Sequence, residues 1–75
     1  MNSPHFDKNM LLKLAKTPMP FGKYQGRMII DLPEPYLLWF ERKGFPKGEI
    51  GNLLHLALEI SVSGSTDLVK KLKYA

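Results

Sequence analysis

Apolar residues recur at helical spacing in four stretches of the chain and depart from it in one. Met10, Leu11, Leu14 and Ala15 fall at i, i+1, i+4 and i+5, which predicts a helix over 7–16. Asp7 suits its N-cap or first turn, and Lys13 and Lys16 suit the negative end of its dipole. Thr17-Pro18 should end it, because the residue before proline is pushed out of the α region. Tyr36, Leu37, Trp39, Phe40 and Lys43 predict a second helix. It starts from Asp31-Leu32-Pro33-Glu34-Pro35, where missing N–H groups cost little, and stops at Gly44. Ile50, Leu53, Leu54, Ala57 and Leu58 fall at i, i+3, i+4, i+7 and i+8, the clearest amphipathic pattern in the chain. Leu56, Ile60 and Val62 widen its apolar face, and Gly64 should close it. A last short helix is expected over 67–74, with Leu68, Val69 and Leu72 inward.

Residues 19–30 break the helical period. Two short apolar stretches flank a segment bracketed by Gly22 and Gly26. Glycines take the positive φ values of a tight turn, so the pattern predicts a β-hairpin with Gly22 and Gly26 as its structural turn residues. Pro20 cannot donate to a ladder, which makes this an edge strand or a strand start. The expected fold is therefore α+β: a single small domain over residues 1–75, with one short β-hairpin packed against three or four α-helices. Residues 1–6 read as a flexible tail, 7–64 as the core, and 65–75 as a basic C-terminal segment.

Composition narrows the function classes. The 75 residues include no Cys and two His, which excludes a disulfide framework, a thiolate nucleophile and a thiolate zinc site. No metal site and no cofactor are expected. No apolar run approaches the ~20 residues of a membrane span. The opening Met1-Asn2-Ser3-Pro4-His5 lacks the basic and apolar regions of a signal peptide, so the cytoplasm is the expected compartment and no membrane partner is expected. The formal net charge of +4 is unevenly spread. Residues 1–30 carry a net +4, residues 31–67 a net −3 and residues 68–75 a net +3. Two basic ends flank an acidic middle, which suits either a soluble surface or a basic face for a polyanion.

The segment Gly22-Lys23-Tyr24-Gln25-Gly26-Arg27 looks like a phosphate loop but is not one. A Walker A loop needs four residues between its glycines, followed by Lys and Ser/Thr. Here three intervene, and Arg27-Met28 follows. A chain this short cannot hold a βαβ dinucleotide fold either. What remains is a hairpin tip with Lys23 and Arg27 as phosphate partners, Tyr24 as a stacking face and Gln25 as a hydrogen-bonding group for sugar or base. The competing reading is that the glycines serve the turn, Tyr24 packs on the domain and the cations are solvated. Tyr36, Trp39, Phe40 and Phe45 are assigned mostly to the core, with Trp39 or Tyr36 partly exposed at a groove. His55 and Glu59 form an i, i+4 surface pair without a nucleophile nearby. Asp31 and Glu34 are helix-start acids rather than a cation pair. No catalytic constellation is visible, so the chain is not expected to be an enzyme.

Met19-Pro20-Phe21-Gly22-Lys23-Tyr24-Gln25-Gly26, Asp31-Leu32-Pro33-Glu34, Tyr36-Leu37, Trp39-Phe40 and Lys43-Gly44-Phe45-Pro46 together resemble a family of short uncharacterised bacterial proteins. That family carries the label of putative quorum-sensing-regulated virulence factors. The resemblance covers roughly residues 10–64. Residues 19–40 are also similar to a small module C-terminal to some DEDD-type exonuclease domains, with matches at Phe21, Gly22, Lys23, Tyr24 and Gly26 and with Arg27 in the usual basic place. The exonuclease domain itself is absent here, so nuclease activity does not carry over. That similarity implies a module assisting work on DNA or RNA. Two functions follow as expectations. One is a non-catalytic accessory module that binds DNA or RNA through Lys23, Tyr24, Gln25 and Arg27, with Lys13, Lys16 and the C-terminal lysines adding attraction. The other is a protein-interaction module or homodimer, built on apolar residues such as Leu56 and Ile60 that so small a monomer would leave uncovered.

Overall fold

The computed structural model describes residues 8–74. Four α-helices follow one another: α1 (Lys8–Lys16), α2 (Glu34–Lys43), α3 (Glu49–Ser63) and α4 (Thr66–Lys70). A 3₁₀ turn at Ile29–Asp31 precedes α2, and a second at Lys71–Tyr74 extends α4. The expected tail and the Asp7 cap lie outside the described residues.

α3 is the centre of the fold. Gly51, Leu53, Leu54, Leu56, Ala57, Leu58 and Ile60 are all buried along it, as expected for a helix covered on most sides. Asn52, His55, Glu59, Ser63 and, against expectation, Val62 form its exposed stripe. α2 contributes Leu37 and Phe40 to the core, α1 contributes Leu14 and Ala15, and α4 contributes Val69. Gly44 closes α2 at φ +103°, its N–H donating to the Phe40 carbonyl, and Gly64 closes α3 in the left-handed region. Leu56 and Ile60 are thus covered within a single chain, with Ile60 fully buried. These two residues are core and not surplus apolar surface. Leu68 likewise departs from expectation: it is 68% exposed, whereas Val69 is buried.

The α+β expectation is overturned, because no strand forms among the described residues. Residues 18–28 make an antiparallel excursion that contains one isolated bridge, between Pro18 and Met28. Met19 donates to the Arg27 carbonyl at 2.7 Å and accepts from Gly26 at 2.8 Å, while Ile29 donates to the Thr17 carbonyl at 3.0 Å. The ladder stops there for two reasons. Pro18 and Pro20 have no N–H to extend it. Ile29 and Ile30 are both buried, whereas neighbouring residues of a strand point to opposite faces. A tight 3₁₀ turn, closed by Asp31 N–H to Met28 O and Leu32 N–H to Ile29 O, puts both inward. Burial of two consecutive isoleucines outweighs continued pairing.

The basic C-terminal segment is tied back to the body. Lys73 and Lys70 both engage the Asp31 carboxylate, Lys70 at 3.7 Å. Lys13 of α1 pairs with Glu49 at the start of α3. Three of the lysines that the sequence offers as general polyanion attraction therefore have carboxylate partners.

Candidate functional site

The excursion after α1 is pinned at its base by Met19, which is buried and has both backbone groups paired across the loop. Its distal part lies over the N-terminal half of α2. Turns closed by Gln25 N–H to Gly22 O at 3.1 Å and Arg27 N–H to Tyr24 O at 3.0 Å shape the tip. Gly22 and Gly26 take φ values of +80° and +91°, a region that L side chains enter only with strain. Gly22 has a second constraint: a Cβ there would sit 3.1 Å from the Tyr36 hydroxyl.

Between loop and helix runs an open groove of about 700 Å³, walled by Phe21, Gly22, Lys23, Tyr24, Pro33, Pro35, Tyr36, Trp39 and Phe40. Its floor is a relay of edge-to-face rings. Tyr24 meets Tyr36 at 4.7 Å between centroids, Tyr36 meets Phe40 at 5.1 Å, and Trp39 meets Phe40 at 5.1 Å. Such pairs hold one another in place beyond their simple burial, by ~0.5–1.5 kcal/mol each. Phe40 is buried, Tyr24 and Tyr36 are half-buried, and two rings stay open: Phe21 at 40% and Trp39 at 44% exposure. Burial of the Tyr36 phenol, with Tyr24 beside it, raises its pKa above the usual tyrosine value, so the hydroxyl keeps its proton at neutral pH.

The cations stand at the mouth. The Lys23 Nζ lies 5.5 Å from the centre of the Tyr24 ring and the Arg27 Cζ 5.6 Å from it, within cation–π range. Arg42 and Lys43 are exposed. They lie three and four residues beyond Trp39 and so share its side of α2. The acids of this region are turned elsewhere. Glu34 accepts a 2.8 Å hydrogen bond from the Ser61 hydroxyl on α3, Asp31 holds Lys70 and Lys73, and Glu41 lines a different groove.

Of the residues singled out in the sequence, Gly22, Lys23 and Tyr24 line the groove, and Arg27 flanks Tyr24. Gln25 and Gly26 are exposed at the tip, away from the groove walls. Pattern reasoning missed Phe21, Pro33 and Pro35 as walls. A signal for Trp39 did exist: with Leu37 and Phe40 inward, the 100° step per residue turns position 39 outward. His55 and Glu59 are exposed, and they border a second groove of about 410 Å³ with Leu38, Glu41, Leu58, Val62 and Ser63. The His55 ring packs edge-on against Phe45 at 5.2 Å. Asp31 and Glu34 serve separate partners and do not converge. No group of three or more His, Asp or Glu that could hold a metal occurs among the described residues. No described helix is long and apolar enough to cross a membrane.

Residues 7–72 match the family model described as "Putative quorum-sensing-regulated virulence factor". Two relatives, both called "Uncharacterized protein YpeB", come from Escherichia coli strain K12 and Escherichia coli O157:H7. Each is 54% identical over 68 residues, a stretch covering 89% of this chain and 94% of the relative. No solved structure gives a significant match.

Proposed function

The chain belongs to the family of putative quorum-sensing-regulated virulence factors, and from the groove we propose that it is a non-catalytic module binding nucleic acid through the 19–28 loop and the exposed side of α2. The family description concerns regulated expression and virulence and specifies no chemistry. The observation that carries the reading is Tyr24 flanked by Lys23 and Arg27 at the mouth of a groove with exposed rings. Cations neutralise phosphates and aromatic faces receive bases, the pairing used for strand binding without a catalytic centre.

The test is fluorescence anisotropy of labelled DNA and RNA oligonucleotides over a salt series, with Lys23→Ala/Arg27→Ala alongside. Each phosphate contact on a single strand contributes a slope of about −0.7 to log affinity against log salt, so the double variant should flatten that slope by about 1.4. Both side chains are exposed, and circular dichroism should show the fold unchanged. Binding that ignores salt, or none at low salt, refutes the reading. A protein partner is the second reading. It is favoured by the exposed rings of the lining, because aromatic-lined grooves take extended proline-rich peptides.

A further inference from the structure

We infer that the groove between the 19–28 loop and α2 accepts an unpaired base, so that the chain selects single-stranded nucleic acid over duplex. This rests on the nucleic-acid reading and specifies its ligand.

The separation of chemistry within the groove supports it. Rings and prolines make the interior, Lys23 stands in its wall with Arg27 beside Tyr24, and Arg42 and Lys43 are exposed one turn beyond Trp39 on α2. A phosphate gains nothing by entering an apolar floor and loses its hydration. A base is a flat, largely apolar ring that gains by leaving water and by stacking. Its phosphates then fall at the rim, where the cations are. The Asp31 charge is offset by Lys70 and Lys73, and Glu34 keeps its charge but is turned toward Ser61 on α3. In a duplex, both faces of each base are covered by neighbours and its edge is paired, so no base can enter without unstacking. A single strand carries no such cost.

The two exposed rings receive the base. Phe21 comes from the loop and Trp39 from the helix, so each bank offers an exposed ring on which an inserted base can stack. Trp39 is anchored edge-on to Phe40, and Tyr24, Tyr36 and Phe40 beneath form a linked, preformed floor. The Tyr36 hydroxyl, beside Gly22, presents a protonated donor to a base edge. An aromatic platform of this kind tolerates any base, so sequence preference should be weak.

Trp39 is the only tryptophan in the chain, so its emission reports directly on the groove. The full chain is titrated with short oligothymidylate, its RNA counterpart, a thymidylate–adenylate duplex, and an abasic strand of equal length that keeps every phosphate. The expected result is quenching of Trp39 by both single strands. Affinity for the duplex and for the abasic strand should be roughly five- to a hundredfold lower, the range for losing one base–aromatic stack. Phe21→Ala should weaken single-strand binding by at least about fivefold and leave abasic binding unchanged. Because Phe21 is 40% exposed, the fold should tolerate the change, and circular dichroism checks that it does. If duplex and abasic strands bind as tightly as the base-bearing strand with Trp39 emission unmoved, base insertion is overturned while phosphate-driven binding stands. If no nucleic acid binds at low salt, both readings fall. Quenching by a proline-rich peptide with none by oligonucleotides also overturns the inference and assigns the groove to a peptide.

Discussion

Replacing Gly51 by alanine should destabilise the fold, although alanine is the better helix former. Gly51 is the third residue of α3 and is buried. In an exposed helix interior, glycine to alanine gains about 1 kcal/mol. Here an added Cβ would lie 1.7 Å from the Pro46 carbonyl oxygen and 2.9 Å from its carbon. Both are backbone atoms, so no side chain can swing aside. Either the 44–48 connection or the start of α3 must move by more than an ångström. That connection carries Phe45, whose ring stacks on Phe40 at 6.4 Å and meets His55 at 5.2 Å. Overpacking a filled site costs about 1–3 kcal/mol, and loosening an aromatic pair adds about 0.5–1.5 kcal/mol. Set against the propensity gain, the expected net loss is about 2 kcal/mol. A domain of this size loses roughly 4–8 °C of Tm per kcal/mol, so the melting point should fall by about 8–16 °C. Thermal and urea unfolding followed by far-ultraviolet circular dichroism measure it. Asn52→Ala, on the exposed stripe of the same helix, serves as the comparison and should be near neutral. A Gly51→Ala protein as stable as the parent, or more so, would refute the close approach of Pro46 to α3.

Three further outcomes are expected. Gly22→Ala and Gly26→Ala share the strain of a positive φ, about 1–2 kcal/mol, but only Gly22 has the Tyr36 hydroxyl against it. Gly22→Ala should therefore be the worse of the two in urea melts, and Tyr36→Phe should recover the difference. A Gly22→Ala loss that Tyr36→Phe leaves untouched would discount the hydroxyl. Asp31→Asn removes the carboxylate held by Lys70 and Lys73. These partly exposed pairs are worth about 0.2–1 kcal/mol each, so stability should fall by up to about 2 kcal/mol at low salt and by less at high salt, with amide exchange rising first at the C-terminal turn. A salt-independent loss would argue against an ionic tie. Tyr36 has a raised pKa in the fold, so above the ordinary tyrosine value of ~10 the unfolded chain gives up its proton before the native one. Native protein then binds more protons than unfolded, and stability must fall as pH rises through that window and stay unaffected by Tyr36 below it. Stability against pH for Tyr36→Phe should show a shallower alkaline decline; identical curves would refute the assignment.

The four helices were legible in the chain because their causes are local. A 3.6-residue period, prolines at the start of α2, and glycines at positions 44 and 64 act over a few residues and do not depend on what packs against them. The same holds for the cationic and aromatic residues at 23, 24 and 27, whose chemistry is visible in any conformation. Three features depended on distant partners. The glycine-bracketed segment carries the same local signals whether it becomes a hairpin or an irregular loop. Two prolines without N–H donors and the demand to bury Ile29 beside Ile30 decided for the loop. Leu56 and Ile60 look like surplus apolar surface on an isolated helix, and only the coverage of α3 by the rest of the chain made them core. The groove was legible least of all. Its walls come from residues 21–24 and 33–40, segments that never touch in the linear order, and an aromatic becomes wall or core according to which neighbour covers it. Trp39 and Phe40 are adjacent and both aromatic, yet one faces solvent and the other the interior. Sequence by itself determines which side chains are available and which stretches are helical. Tertiary packing decides which of those side chains share a surface, because burial is a property of pairs of distant segments and not of either one alone.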